Sequence, residues 1–334
     1  MNRQAHQVTD QVAPGTVEAV GAVGVVGAVP AEPFRMVVEE GKIREFARAT
    51  RSRSAEHLRP RDPVSPVTFL ASCALWMDEE NSAWRGVTRD FANILHGEQE
   101  FSFHGPPPAA GTELIGLQSI DRTYEKTGAR GGAMTFTEVV TRFRKPSSER
   151  TVAEMRSVSI DKHPGSAAAA APVRPAAAEP GRPDAAGRTA LEPFTDAALT
   201  ITDFVRYQGA SGDFNAIHHD SAFAQASGYP GPFAVGMLTA GIAANYVTAH
   251  FGVDAVRRIR VRWKDQAWPG DALTYQGFRL ARGPAAAGPT GADVEVQVTR
   301  PDGRSHLVAW VDLADQAGTD QAGDPSEQRS SWAR

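Results

Sequence analysis

The segment at 164–193 constrains the fold more than any other feature, because 20 of its 30 residues are Ala, Pro or Gly. This composition buries too little apolar surface to offset the entropy lost on ordering, and its six prolines interrupt any alanine-rich helix. We therefore predict a flexible linker at 164–193 that divides the 334-residue chain into domains at 33–163 and 194–314. The Ala/Val/Gly-rich residues 1–32 and the polar residues 315–334 are predicted to be a disordered extension and a disordered tail.

Charge and cysteine content disfavour several classes of function. The net charge is -4 with 22% charged residues, which disfavours a nucleic-acid partner held by phosphate contacts. The one cysteine, Cys73, lies in an apolar run, so we expect a buried thiol, no disulfide, no metal cluster and a reducing, cytoplasmic compartment. The longest uncharged apolar stretch, Ala19–Val29, is too short to span a membrane, and no basic start of a signal peptide precedes it. No phosphate-binding glycine motif follows a strand-like segment, so we expect no nucleotide and no other cofactor.

The two predicted domains repeat one order of elements. In each, helical and loop segments come first and alternating, strand-like segments follow, which predicts an α+β class with antiparallel strands. The segment Ala109–Leu114 resembles Trp268–Leu273, and Phe46–Thr50 can be laid over Tyr207–Ser211. In both pairings, the two matching segments lie nearly the same number of residues apart, and this agreement favours an internal duplication.

Candidate catalytic residues cluster in the second half, between Tyr207 and Gly241. Asp213 and His218 lie five positions apart on a loop, with Asn215 between them, and they converge only if the loop folds back. A carboxylate beside an imidazole suits general acid–base catalysis, and Asn215 would hold the loop or the substrate. A surface loop with polar turn residues is the alternative.

An apolar helix is predicted after this loop, over Phe233–Phe251. Its first turn, around Gly236 and Met237, would present free backbone N–H groups to a developing enolate oxygen on a thioester. The loop and the helix start together offer an acid–base pair and an oxyanion site. The His-His-Asp triplet at 218–220 lacks the spacing of metal ligands, and we expect no metal.

The segment Ser211–His218 resembles the hydratase motif S/T-G-D-x-N-P-I-H of the MaoC-like family of hotdog-fold (R)-specific enoyl hydratases and 3-hydroxyacyl dehydratases. One position departs from the motif, since Ala216 stands where proline is usual. The later family pattern A-H-G-M-L appears as Ala234–Leu238, with Val235 in place of the histidine. The resemblance covers Leu199–Leu313, and the departures affect the loop and substrate positioning more than the reacting groups.

The first half resembles the amino-terminal domain of the double-hotdog members of that family. The residues that carry this resemblance are Ile94–Phe101, followed by His104 and Pro106. His96 and His104 lie on one face of a predicted strand, where partial burial and contact with an acyl or pantetheine group are both open.

The first half lacks the paired catalytic residues of the second. When the two halves are aligned by the repeat, Ser52 aligns with Asp213, and His57 aligns with His218. A histidine without its carboxylate is not expected to act as a base. We therefore predict that the first domain is non-catalytic and lines the acyl pocket.

The resemblance implies tandem hotdog folds that form a pseudo-dimer, each with a long helix wrapped by an antiparallel sheet and the active site between the domains. It implies reversible dehydration of (3R)-3-hydroxyacyl thioesters to trans-2-enoyl thioesters, with Asp213 and His218 as catalytic residues. Asn215, Gly236 and Met237 would then bind the substrate.

The same resemblance implies that the acyl group is carried by coenzyme A or by an acyl carrier protein, in fatty-acid or polyketide metabolism. A homodimer or a pair with a partner dehydratase subunit is expected, without a nucleic-acid or membrane partner. Two other functions stay open: a non-catalytic acyl-binding subunit and a hotdog thioesterase.

Overall fold

The computed structural model of the chain describes residues 29–89, 94–127, 133–162, 187–280 and 291–314. Most of the extension predicted at 1–32, most of the linker predicted at 164–193 and the whole tail predicted at 315–334 lie outside the described residues. No helix in these ranges is long and apolar enough to cross a membrane.

The first half places two helices and two 3-10 turns between an edge strand and four antiparallel strands. Its elements are β1 (Phe34–Val37), α1 (Glu40–Ala49), α2 (Ala55–Leu58), 3-10 helices at Phe69–Trp76 and Glu79–Asn81, β2 (Ile94–Phe103), β3 (Glu113–Thr127), β4 (Ala133–Arg144) and β5 (Thr151–Lys162). Helix α1 buries Ile43, Phe46 and Ala47, the three residues that its sequence pattern places on one face.

The second half has a similar order, but it alone carries the long central helix that the resemblance implies for each unit, since the described first half has the 3-10 helix Phe69–Trp76 instead. Its elements are β6 (Thr189–Ala190), β7 (Phe194–Thr195), α3 (Ile201–Ser211), a 3-10 turn at Ala216–His218, α4 (Ser221–Ala226), α5 (Gly236–Phe251), a 3-10 turn at Val253–Ala255, β8 (Val256–Trp263), β9 (Thr274–Arg279), β10 (Val294–Thr299) and β11 (Ser305–Leu313). Every residue of α5 from Met237 to Thr248 is buried, which makes this helix the centre of the core.

One antiparallel sheet of 11 strands runs through both halves. Its order is β1-β3-β4-β5-β2-β8-β11-β10-β9-β6, and β7 pairs with β9. The halves meet where β2 pairs with β8, with Gln99 opposite Val261. The α+β class with antiparallel strands that the sequence predicts is therefore confirmed.

Charged side chains follow the seam between β2 and β8. Glu98 accepts hydrogen bonds from Arg260 Nη2 and Arg262 Nε, both at 2.6 Å, and Glu100 accepts one from Arg258 at 2.8 Å. Opposite charges on neighbouring strands stabilise this pairing, and a one-residue slip would place Glu98 and Glu100 opposite apolar residues of β8 instead of arginines.

Hydrogen bonds inside the two halves reproduce the predicted duplication. The Ser54 N–H donates to Ser52 Oγ at 3.3 Å, and the Asn215 N–H donates to Asp213 Oδ1 at 3.2 Å. The two turns are thus built alike at matching positions of the repeat, with a serine hydroxyl in one and a carboxylate in the other.

Backbone angles repeat at matching positions as well. Arg51 and Gly212, which follow α1 and α3, have φ values of 55° and 82°. Gly111 and Gly270, in the two segments that resemble each other in sequence, have φ values of 79° and 94°. A left-handed residue costs little at glycine but more at Arg51, where the side chain compensates through its contacts, as described below.

The boundaries of the linker and of helix α3 differ from the sequence predictions. The short strand β6 lies inside the linker predicted at 164–193 and pairs with β9. The predicted linker therefore extends too far toward the second half. Helix α3 continues through Gly209 to Ser211, where the sequence predicts a loop. Burial of Ala210 and Ser211 against the core outweighs the low helix propensity of Gly209.

Candidate active site

The loop after α3 is held in shape by hydrogen bonds between its own polar residues. Asn215 caps the following 3-10 turn by accepting the Ile217 N–H at 3.1 Å. Its carbonyl accepts a hydrogen bond from Gln208 Nε2 at 2.9 Å, and Gln208 Oε1 contacts His219 Nδ1 at 2.8 Å. Asn215 therefore acts on the loop backbone in this structure, which is one of the two roles that its position predicts.

His218 is a buried histidine with a fixed orientation. Its Nδ1 lies 2.8 Å from the carbonyl oxygen of Phe233, so Nδ1 carries the proton and Nε2 keeps its lone pair. Burial lowers the pKa of His218, and the charge of Asp213 and the Phe233 carbonyl oppose part of that shift. A neutral imidazole with a free Nε2 is the form that a general base requires.

Asp213 lies on the same loop and is exposed to solvent. Its charge acts on His218, so the fold does bring the two side chains near each other. Within the described part of the chain, no direct hydrogen bond joins them. An exposed carboxylate and a fixed imidazole that interact through charge alone are suited to share a water molecule or a substrate hydroxyl.

Helix α5 begins beside this loop without a side-chain cap. Its N-cap residue is Val235, which has no side-chain oxygen to accept the first N–H groups, so those of Gly236 and Met237 are left to another acceptor. The start lies beyond the predicted Phe233, because the Ala234 N–H donates instead to the carbonyl of Ala267 at 2.8 Å. The helix start thus leaves backbone N–H donors of the kind that bind anions at helix N-termini, and Met237 is buried beside it.

Trp263 packs against the first residue of α5. Its Nε1 donates to the Gly236 carbonyl at 3.1 Å, and a Cβ atom at position 236 would lie 3.0 Å from the indole ring. Glycine is needed here for this close approach rather than for its φ angle. The sequence analysis did not single out Trp263, since an aromatic residue at the end of a strand carries no specific signal.

A second buried histidine supports the same helix. His306 on β11 contacts the Asp265 carbonyl through Nδ1 at 2.6 Å and the Thr239 hydroxyl through Nε2 at 2.8 Å. Desolvation lowers its pKa to about 4, so it stays neutral at neutral pH. Thr239 in turn lies 2.8 Å from the Gly236 carbonyl, which ties the first turn of α5 to the sheet.

The first half contributes His96 to the same place. Its ring lies 4.5 Å from the ring of Trp263, centroid to centroid, and the Asp213 charge acts on it. His104, the other histidine of that segment, is exposed beyond the end of β2. The structure therefore separates the two residues that the sequence treats alike.

The first half has a counterpart of His218 in a closed environment. His57 is fully buried, and its Nδ1 lies 2.8 Å from the Val64 carbonyl, as His218 Nδ1 does from Phe233. Ser52 occupies the position of the carboxylate and binds only its own turn. Among the described residues, no three His, Cys, Asp or Glu side chains converge in a way that could hold a metal ion.

Two family descriptions match the chain, one in each half. A "MaoC like domain" matches residues 186–281, and a "FAS1-like, dehydratase domain region" matches residues 24–155. The second-half match covers both the loop of Asp213 and His218 and the start of α5.

Known proteins are similar over most of the chain. The 3-hydroxyacyl-thioester dehydratase Y of Mycobacterium tuberculosis is 32% identical over 231 residues, which are 65% of this chain and 74% of that protein. A solved structure of a MaoC-like dehydratase superposes with a TM-score of 0.64 at 23% identity, covering 86% of this chain and 98% of the other. A further M. tuberculosis structure described as a double hotdog fold has a TM-score of 0.56 at 13% identity, covering 85% and 96%.

These similarities define the class as double hotdog proteins and confirm the predicted fold of tandem hotdog units. The chain belongs to the family of MaoC-like dehydratases, as its motifs predict, and is an enzyme of the hydro-lyase class.

Proposed function

We propose that the chain catalyses the reversible dehydration of (3R)-3-hydroxyacyl thioesters to trans-2-enoyl thioesters, with Asp213 and His218 as its catalytic residues. One observation carries this proposal: an accessible carboxylate and a neutral, oriented imidazole lie beside the uncapped start of α5. The dehydratase of M. tuberculosis that resembles the chain is named for a 3-hydroxyacyl thioester, which supports the substrate class.

In dehydration, the pair removes a proton from C2 and donates a proton to the hydroxyl that leaves C3. The C2–H electron pair forms the new double bond, and the C3–O bond breaks to release water. Hydration reverses these steps, with both residues holding one water molecule. The reaction moves protons and a hydroxyl without a change of oxidation state, so it requires no redox cofactor.

The start of α5 stabilises the charge that develops on the thioester oxygen. The N–H of Gly236, with that of Met237 beside it, faces this oxygen at the positive end of the helix dipole. Asn215 acts indirectly by holding the loop that carries Asp213. Removal of one such oxyanion donor typically costs about 10²–10³-fold in kcat.

The first half supplies shape rather than an acid–base pair. Its buried His57 has no carboxylate neighbour in the matching turn, since Ser52 stands there. We assign it the wall of the acyl pocket. The carrier is coenzyme A or an acyl carrier protein in fatty-acid or polyketide metabolism, acting in a homodimer or with a partner subunit.

We place the reaction in the cytoplasm, which agrees with the state of the one cysteine. Cys73 is buried, and desolvation raises the pKa of its thiol to about 12. Such a thiol stays protonated at neutral pH and is not poised for disulfide exchange.

Activity with defined thioesters tests the proposal. The purified chain with crotonyl-CoA should lose the ultraviolet absorbance of the enoyl group, and (3R)-3-hydroxybutyryl-CoA should produce it while the (3S) isomer does not. A free-thiol reagent is added in parallel. Release of thiol without a change in enoyl absorbance would mean a thioesterase, and neither signal would mean a non-catalytic acyl-binding protein.

Parallel assays with the same acyl group on coenzyme A and on a holo acyl carrier protein identify the carrier. The ratio of kcat/KM for the two substrates gives the preference directly. Equal, low values for both would argue against each carrier as the physiological one.

A further inference from the structure

We propose that His96, on strand β2 of the first half, is a substrate-binding residue of the reaction cleft that accepts a hydrogen bond from the thioester substrate. This inference rests on the proposed function and extends it, because it assigns a polar contact to the half that lacks the catalytic pair. The position of the side chain follows from an irregularity in the backbone of β2.

A shift in strand register turns His96 away from the regular strand pattern. His96 pairs with Ser159 on β5, whereas Glu98 pairs with Val158, so Gly97 is the extra residue of a bulge. A Cβ atom at position 97 would lie 2.6 Å from Ile160 Cδ1, so a larger residue there would force the Ile160 side chain to move. Bulges beside active sites commonly redirect one side chain, and here the redirected residue is His96.

The redirected ring lies between the two reactive parts of the site. On one side it packs against Trp263, at 4.5 Å between centroids and an interplanar angle of 43°. Trp263 donates to the carbonyl of Gly236, the residue whose N–H we assign to the thioester oxygen. On the other side, the charge of Asp213 reaches His96. A substrate held by Asp213 and Gly236 therefore passes the His96 ring.

His96 is open to solvent, unlike the buried His57, His218 and His306. The protein nevertheless surrounds it closely enough for desolvation to lower its pKa. The ring is therefore neutral at neutral pH, with one N–H and one lone pair.

Gln99 and the Glu98 backbone are hydrogen-bonding neighbours of the His96 ring, and both contacts favour its protonation. Gln99 is buried, and its Nε2 donates to the carbonyls of Glu100 at 3.2 Å and Arg156 at 3.0 Å, so its Oε1 is the atom left to accept from His96. A neutral ring that donates one N–H to Gln99 keeps a lone pair on its other nitrogen, and that nitrogen can accept from an N–H or O–H group of the substrate.

Two parts of a 3-hydroxyacyl thioester carry such a donor: the 3-hydroxyl and the amide N–H groups of the carrier arm. The substrate of hydration lacks the hydroxyl but keeps the amides. The KM values for crotonyl-CoA and for (3R)-3-hydroxybutyryl-CoA therefore distinguish the two sources of the hydrogen bond.

The test compares His96→Phe, which keeps an aromatic ring against Trp263 but removes the acceptor, with His96→Gln, which keeps an acceptor. Loss of one hydrogen bond to the substrate should raise KM about tenfold in His96→Phe, with little change in kcat or in thermal stability. His96→Gln should retain most of the affinity. His104→Phe, a matched change at the exposed histidine, should behave as the wild type.

A rise in KM for both substrates would assign the contact to the carrier amides, and a rise for the hydroxyacyl substrate alone would assign it to the hydroxyl. Unchanged KM values in His96→Phe, or a fall in kcat alone that follows a loss of thermal stability, would overturn the inference. Calorimetric binding of butyryl-CoA, which cannot react, gives the same comparison for the amide contact. A wild-type chain that binds butyryl-CoA but does not convert the reactive thioesters would contradict the proposed function. The comparison of butyryl-CoA binding between the wild type and His96→Phe would still test the role of His96.

Discussion

Asp213 and His218 differ in their exposure to solvent. His218 is buried and donates from Nδ1 to Phe233, whereas Asp213 is exposed at the end of a turn that it stabilises itself. Burial lowers the pKa of His218 and so favours the neutral imidazole that a general base requires. The difference follows from burial, since both residues lie on one short loop.

Substitution of either residue should abolish most of the dehydration. We expect Asp213→Asn and His218→Gln each to lower kcat by about 10²–10⁴-fold, because each removes one partner in proton transfer. The measurement is the rate of enoyl formation from (3R)-3-hydroxybutyryl-CoA, with circular dichroism to verify the fold.

His57→Gln is the matched control, since His57 makes the same backbone contact in the first half. We expect near-normal kcat in this variant. Loss of activity in a folded His57→Gln protein would contradict a non-catalytic first half, and near-normal turnover in either second-half variant would remove that residue from the mechanism.

The two main helices of the second half start in opposite ways. Helix α3 has a capping box, in which Thr200 and Asp203 satisfy each other's backbone N–H groups. Helix α5 has Val235 at the same position and no side-chain cap. A cap at α5 would add about 1 kcal/mol of stability but would occupy the donors that the thioester oxygen needs.

Gly236→Ala tests the role of the α5 start. The added Cβ meets the Trp263 ring at 3.0 Å, so the indole or the first turn must move by a few tenths of an ångström. Because oxyanion donors depend on close placement, we expect kcat to fall roughly tenfold with a smaller change in KM. Steady-state kinetics with crotonyl-CoA measures both.

Gly209→Ala is the control on the neighbouring helix. A Cβ atom there contacts nothing within 4 Å, so alanine should stabilise α3 by about 0.5–1 kcal/mol without changing kcat. Equal kinetic effects of the two substitutions would mean that the α5 start has no special role.

At the scale of the whole molecule, Arg51 fastens the first half to the second. Its guanidinium contacts Asp196 and Asp203, each at 2.7 Å, and the Ala197 carbonyl at 2.6 Å. These contacts hold a non-glycine residue at a φ of 55°. Asn245 of α5 adds a hydrogen bond to the Thr50 carbonyl at 2.9 Å.

Loss of the Arg51 side chain should destabilise the complete chain. We expect Arg51→Ala to lower the free energy of unfolding by about 2 kcal/mol, because two largely buried carboxylates lose their partner. Arg51→Gly should be about 1 kcal/mol more stable than Arg51→Ala, since glycine tolerates the left-handed angle. Urea unfolding followed by circular dichroism gives these differences.

Arg206→Ala is the matched control, since Arg206 also faces Asp203 but at 3.8 Å and with 67% of its side chain exposed. Its free energy of unfolding should change by less than about 0.5 kcal/mol. Similar losses of unfolding free energy in Arg51→Ala and Arg206→Ala would contradict the role of Arg51 in holding the two halves together.

Local sequence determined much of this protein. Alternation of apolar and polar residues predicted the strands, and the spacing of Ile43, Phe46 and Ala47 predicted α1, because these patterns follow from backbone geometry. The repeat of the two halves also appears in the sequence, since both copies keep the same turn chemistry. The loop from Asp213 to His218 was predictable because its polar residues build it locally.

Contacts between distant segments decided the remainder. The 3-10 helix Phe69–Trp76 and the start of α5 at Gly236 depend on packing that no local pattern encodes. The meeting of His96 with Trp263 depends on the pairing of β2 with β8 and on a bulge at Gly97. The sequence by itself determined which residues we propose as catalytic, since they form one local motif. Only the tertiary structure decided which residue of the first half faces them, because pairing between strands so far apart in the chain depends on the whole sheet.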